Sequence, residues 1–194
     1  ALAVCQPSTP ASYFHLLRTH AYVNWHRPVV IMTPKSMLRS KAAVSPVIEF
    51  TQGRWQPAMG DPTITDHGAV KRIVMCSGKI RWELIQARNE AGLDGQVAIL
   101  PLERLYPLPA RELAAELAKY PQVKDVRWVQ DEPENQGAWW FLQLHLPQAI
   151  ATFLPGYELK MGGIMRPAAS APSVGSVKVH TAQEADLLAR ALAG

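Results

Sequence analysis

The chain has 194 residues, 48% of them hydrophobic and 19% charged, with a formal net charge of +4. That length suits one domain, or one domain plus part of a neighbour, and the apolar fraction excludes a disordered chain. Scattered Lys and Arg without interleaved aromatics argue against nucleic acid, and the lack of any 18-residue apolar window argues against a spanning helix.

Residues 2–6, LAVCQ, read as a short buried strand that runs into the turn PSTP. Thr9 is placed as an N-cap with Pro10 at the first helical position, and ASYFHLLRTHAYV sets Tyr13, Leu16, Leu17 and His20 at helical spacing. RPVVIMTP supplies a β-branched strand, Val29 to Met32, between Pro28 and Pro34. Together these form a strand–helix–strand unit of about 33 residues, the size of a parallel crossover, which needs further partners to cover both faces of its sheet. The chain begins in mid-strand rather than with Met, so a cut piece of a longer chain is expected.

KSMLRSKAAVSPVIEF reads as a connection, with a domain boundary near residue 50. Beyond it RWQPAMG looks strand-like, and KRIVMCSG carries a buried strand at 71–76 with Ser77-Gly78 as the turn. KIRWELIQARNEAG is then a helix closed by Gly92, and VAILPL, 97–102, the next strand. LPARELAAELAKY is a helix begun by Pro109 and stopped by Pro121, followed by the strand VKDVRWVQ. A loop at 131–138 leads to a helix through Ile150, YELKMGGI is a short strand, and HTAQEADLLARALAG a final amphipathic helix. Alternating strands and helices of these lengths imply an α/β domain with a mainly parallel sheet and flanking helices.

DEPENQGAWW, 131–140, holds the densest polar chemistry. One reading makes Asp131, Glu132 or Glu134 an acid or base just past a strand's carboxyl end. The other makes Asn135 an N-cap behind acids that favour the helix's positive end, with Gly137 allowing close backbone packing and Trp139 and Trp140 anchoring the helix. The second is preferred, because a catalytic carboxylate needs an apolar setting or a proton partner and no histidine is near. CSGK resembles a fragment of a phosphate loop but lacks its spacing. Lys35, Arg39 and Lys41 offer an anion site or a solvated connector, and MGGIMRPAASAPSVGS, whose one charge is Arg166, suggests a tightly packed loop. Cys5 and Cys76 lie in hydrophobic stretches without a CxxC, so two buried, reduced thiols in a cytoplasmic protein are expected. His15, His20 and His26 lack a second ligand at i+4, and no metal site is expected.

CQPSTPASYFHLLRTHA, RPVVIMTPKSMLRSKAAVSP, VMCSGKI, LERLYPLP, WVQDEPENQGAW and RPAASAPSVGSVKVH, in that order, closely resemble the C-terminal part of the 2-oxoglutarate dehydrogenase first component, most of all its actinobacterial multifunctional branch. The resemblance implies a transketolase C-terminal-like domain over 51–194, preceded over 1–50 by the tail of a thiamine pyrimidine-binding domain and a connector. It implies oxidative decarboxylation of 2-oxoglutarate in the tricarboxylic acid cycle on thiamine diphosphate with Mg2+, both bound outside this segment. It implies a homodimer working with a lipoyl-bearing succinyltransferase, and no catalytic residue in this stretch. Some members bind acetyl-CoA or AMP at a site drawing on this region. The aligned positions are Ala3, Thr19, Arg54, Pro57, Arg104, Arg111 and Glu112, of which Thr19, Arg54, Arg104 and Arg111 are the effector candidates; Ala3, Thr19, Pro57 and Glu112 depart from the family pattern. A stand-alone nucleotide-binding regulatory module, or a related 2-oxoacid dehydrogenase or decarboxylase with another substrate, stays open.

Overall fold

Two separate sheets divide the strands of the computed structural model, which describes residues 2–24 and 27–193. The expectations that fall on His26 and on the final Gly194 lie outside those residues. The larger sheet has the order β4-β3-β6-β7, made by Val97–Pro101, Arg72–Cys76, Asp125–Pro133 and Met161–Arg166, and every neighbouring pair is parallel. Every residue of the central strand β3 and of the edge strand β4 is buried, as expected of parallel strands covered on both faces.

The two-residue alternation of a strand sorts these side chains onto opposite faces. Ile73 and Met75 join Leu113 and Leu117 of α4 (Ala110–Leu117) and Leu142, Leu146 and Ile150 of α5 (Trp139–Phe153) in one core. Val74 and Cys76 join Ile80 and Leu84 of α3 (Ile80–Glu90) and Leu187 and Ala191 of α6 (Val177–Leu192) in the other. The result is the three-layer α/β arrangement expected from the alternation, with a mainly parallel sheet and flanking helices.

The smaller sheet has the order β2-β1-β5. β1 (Ala3–Cys5) pairs in parallel with β2 (Val29–Ile31) through the crossover helix α1 (Pro10–Tyr22), as the sequence predicts. Thr9 caps α1 as expected, accepting from the backbone N–H of Ser12 at 3.0 Å. The third strand, β5 (Arg104–Tyr106), is antiparallel to β1 and escapes the sequence reading, because three residues among prolines carry no periodicity.

Several other expectations are corrected. RWQPAMG forms only a single antiparallel bridge, Ala58 to Leu102, since Pro57 has no N–H to extend a ladder. The connection contains a 3-10 turn at Lys35–Arg39 and the short helix α2 (Val47–Gln52), which begins after Pro46. β6 continues through Pro133, so Asp131 and Glu132 are strand residues rather than loop residues. β7 begins at Met161 instead of Tyr157, and α6 begins three residues before His180. Gly92 closes α3 as expected, with φ +65°.

Both cysteines are free and buried. Burial pushes the Cys5 thiol up to about 11 and that of Cys76 up to about 12, so neither is a ready thiolate. Among the described residues no helix is long and apolar enough to cross a membrane.

Candidate functional sites at the strand carboxyl ends

Gln130, the last buried residue of β6 before its acidic end, organises the following loop. Its Oε1 accepts from the indole Nε1 of Trp128 at 2.9 Å and from the backbone N–H of Trp139 at 3.0 Å. Its Nε2 donates to the carbonyls of Pro133 at 3.2 Å and Gln136 at 2.7 Å. The cap of α5 is therefore this distant amide, and the expected cap Asn135 does something else. Asn135 exchanges two hydrogen bonds with the backbone of Ala169, pinning the small-residue loop that follows β7. Arg166 helps to close that loop, donating to the carbonyls of Asp131 and Pro172. Gly137 sits at φ +71°, and a Cβ there would lie 2.7 Å from Gln130 Nε2, so the close packing expected of this glycine is present. The tryptophan pair splits. Trp139 is 6% exposed and lies against Gly163, whereas Trp140 is 55% exposed.

The acids of the motif take three separate positions. Glu134 is exposed. Asp131 meets Lys79 at 2.8 Å, and the same ammonium meets Glu83 at 2.7 Å and Glu184 of α6 at 3.7 Å. Burial opposes the charge of Lys79, but hydrogen bonds with Asp131 and Glu83 outweigh it and raise its pKa. Burial pushes Glu83 upward, and one of its oxygens, Oε2, is buried without a hydrogen-bond partner among the described residues. Glu83, Asp131 and Glu184 are spaced closely enough to suggest metal ligands. The ammonium already fills that space, so the trio does not fit the Mg2+ or the diphosphate of a thiamine cofactor. Lys79 of the CSGK segment is committed to these carboxylates rather than to a phosphate, and Ser77 Oγ donates to the carbonyl of Leu102 at 2.8 Å. Among the described residues Glu132 has no ion pair with the cluster, and it lines a cleft between the two sheets.

A second polar site was not anticipated. Glu103, wholly buried, accepts from the backbone N–H of Ser8 at 2.8 Å, from Ser12 Oγ at 2.6 Å, and from Ser8 Oγ. Arg81 Nη1 donates to Ser8 Oγ at 2.9 Å, and Trp82 Nε1 to the Ser8 carbonyl at 2.7 Å. Three elements meet here: the start of α1, the N-terminal turn of α3 and the strand junction before β5. The contacts seam the β1–α1–β2 unit to the larger sheet. Burial pushes the Glu103 carboxyl upward against the opposing pull of these donors. The sequence does carry a signal for both hubs. Glu103 and Gln130 each follow a fully apolar strand end, where a polar side chain must find partners or leave the core.

With this geometry in hand, the family called 2-oxoglutarate dehydrogenase C-terminal matches residues 44–192. The chain belongs to that family. A multifunctional 2-oxoglutarate metabolism enzyme of Mycolicibacterium vanbaalenii is 46% identical over 192 residues, 97% of this chain and 15% of the relative. A 2-oxoglutarate dehydrogenase E1/E2 component of Corynebacterium glutamicum is 43% identical over 189 residues, 97% of this chain and 15% of the relative. The 2-oxoglutarate dehydrogenase E1 component of Cupriavidus necator is 42% identical over 192 residues, 99% of this chain and 20% of the relative. The chain thus spans about a seventh of the length of the first of these relatives.

In this member of the 2-oxoglutarate dehydrogenase C-terminal family the four effector candidates lie on four different segments. Thr19 is exposed on α1, and Arg54 is exposed just past α2, which packs on α1 through Phe14 and Phe50 with ring centroids 5.7 Å apart. Arg104 in β5 donates from Nε to the Pro107 carbonyl at 2.8 Å, and the Arg111 guanidinium lies 5.5 Å from the centroid of Phe153. None of the four lines the cleft between the sheets. Ala3 and Pro57 are buried, Glu112 is on the first turn of α4, and Lys35, Arg39 and Lys41 are exposed on the connector.

Proposed function

We propose that this chain is the C-terminal region of a thiamine diphosphate- and Mg2+-dependent 2-oxoglutarate dehydrogenase first component. In this reading residues 51–194 are a transketolase-like C-terminal domain and residues 1–50 the end of a pyrimidine-binding domain with its connector. The segment braces that domain and contributes to a homodimer, while the cofactor is held by polypeptide outside it. The enzyme decarboxylates 2-oxoglutarate in the cytoplasm and passes the succinyl group to a lipoyl-bearing succinyltransferase. The observation that carries the bracing role is the Glu103 seam, which commits a buried carboxylate, two serines and an arginine to holding one unit on the other. For the dimer, support comes from Trp140 and Leu144, exposed large apolar side chains one turn apart on α5. In assays of the full-length protein, 2-oxoglutarate turnover with an artificial electron acceptor is expected to require added thiamine diphosphate. A Trp140→Ala, Leu144→Ala double variant is expected to sediment as a lighter species. Preference for another 2-oxo acid, or unchanged sedimentation, counts against the corresponding half of the reading.

The regulatory part of the proposal is an anionic effector, acetyl-CoA or AMP, held by Arg104 and Arg111 with Thr19 and Arg54 as further contacts. Guanidinium groups suit phosphate because their paired donors match its oxygens. Calorimetric titration of full-length protein is expected to give heat with one of the two nucleotides and at least about tenfold weaker binding in Arg111→Ala, the loss of one charge-assisted contact. Equal affinity in the variant removes Arg111 from the site.

A further inference from the structure

A parallel pair of strands from each of the two sheets sends its carboxyl ends toward one cleft. Gln6 follows β1, Met32 follows β2, Ser77 follows β3, and Gln130 and Glu132 belong to the end of β6, and all of them line it. In open α/β sheets this is where ligands bind, because the strand ends leave a crevice bordered by loops and helix starts. The cleft has a volume of about 310 Å³, the lower end of the range for small-molecule sites, enough for one ring with a short substituent. Its walls are mainly apolar and aromatic, with Tyr106 and Phe141 arranged edge to face at 6.0 Å and Trp128 beside them.

The polar chemistry of the cleft narrows the ligand further. Gln130 and Ser77 are already committed to internal hydrogen bonds. Gln6 and Glu132 have side chains with no hydrogen bond to another residue among those described, and Glu132 carries the only carboxyl group of the lining. An apolar wall with a single acid repels carboxylates and phosphates and favours an N–H donor or a cation.

We infer that this cleft binds a small planar ring bearing a protonated amine or amidine, with the ring between Phe141, Tyr106 and Trp128 and the cationic head on Glu132. The site is separate from the Arg104/Arg111 positions and has the opposite charge preference, so it stands without the proposed activity. Glu132 is set among charges on three elements: Asp131 beside it, Lys79 at the start of α3 and Arg166 at the end of β7. Burial raises its pKa and Asp131 adds to the rise, while a hydrogen bond from its own backbone N–H, Arg166 and Lys79 oppose it. Affinity for a cation therefore falls on acidification, as Glu132 takes up a proton.

The test uses two isosteric probes of opposite charge, benzamidine and benzoate, with benzyl alcohol as a neutral ring of similar size, titrated by ligand-observed NMR into the full-length protein. Benzamidine is expected to bind about tenfold or more tightly than benzoate, and Glu132→Gln to bring the two within about twofold. Phe141→Ala is expected to weaken benzamidine and benzyl alcohol by a common factor, with circular dichroism confirming that both variants are folded. Lowering the pH should weaken benzamidine and leave benzyl alcohol unchanged. Equal binding of benzamidine and benzoate, a preference that survives Glu132→Gln, or no binding of any probe at millimolar concentration overturns the assignment.

Discussion

Replacing Glu103 by Ala is expected to loosen the β1–α1–β2 unit from the larger sheet by about 3–5 kcal/mol, the cost of stripping one partner from a buried charged network. The magnitude follows from what is left behind. The Ser8 backbone N–H and the two serine hydroxyls lose a wholly buried acceptor, and Arg81 loses the charge it faces across Ser8. No water-sized adjustment at the surface can replace these contacts, because Ser8 and Arg81 are themselves buried. Hydrogen exchange in the full-length protein reads the effect locally, with amides of β1 and α1 exchanging roughly two to four orders of magnitude faster. Glu103→Gln keeps the shape and one acceptor, so its effect is smaller, about tenfold. Exchange unchanged in Glu103→Ala would mean that the seam contributes nothing to docking.

The same group has a pH signature with a definite sign. Burial raises the folded-state pKa of Glu103 above the ordinary carboxyl value. Its contribution is therefore fully present below the unfolded pKa and is lost as the pH rises through the folded one. Wild type compared with Glu103→Gln should show its largest stability advantage in mild acid, shrinking toward neutral and alkaline pH.

How far the sequence discloses this molecule depends on where the stabilising partner lies. Thr9, Pro10, Gly92 and Pro109 mark helix ends through contacts within a few residues, and those ends are read correctly. The buried runs of β3 and β4 announce themselves by continuous apolar composition. β5 is different, because its existence depends on β1 lying about a hundred residues upstream. Asn135 shows the same limit at a single residue. A capping amide beside an acidic run is a sound local inference, but the amide of Gln130, held in place by Trp128, reaches the first helical N–H, and Asn135 is drawn to Ala169 instead. Asp131 is paired with Lys79, a partner about fifty residues upstream that the acidic run does not announce. The separate position of Glu132, facing an aromatic cleft, could not be read from three adjacent acids, because only the strand's alternation and its extension to Pro133 send them to different sides.

Asp61→Ala is expected to cost about 3–5 kcal/mol through the most enclosed ion pair among the described residues. Arg88 Nη1 meets Asp61 Oδ2 at 2.6 Å, with side-chain exposures of 1% and 5%. Asp61 also accepts from the backbone N–H of Ile99 at 2.9 Å and from the backbone and hydroxyl of Thr63 at 3.0 and 2.6 Å. One carboxylate thus fastens the segment before β3 to both α3 and β4. Removing it strands a guanidinium in the core, whereas removing both partners does not. Asp61→Ala with Arg88→Met should therefore be less destabilised than Asp61→Ala alone, a coupling that a double-mutant cycle in chemical denaturation measures directly. Its pH dependence runs opposite to that of Glu103. Burial pushes Asp61 upward, but hydrogen bonds from Thr63 and Ile99 together with Arg88 overcome it and lower the folded-state pKa. That contribution is present above the ordinary carboxyl value and is lost as the pH falls through the folded one. Acid should erode wild type more steeply than Asp61→Asn, while the same acidification strengthens the Glu103 seam. The two buried carboxylates make the docking of the β1–α1–β2 unit and the packing around the larger sheet respond to acid in opposite directions. Parallel acid loss of protection in β1 and in β4 would show that one of these two assignments of sign is wrong.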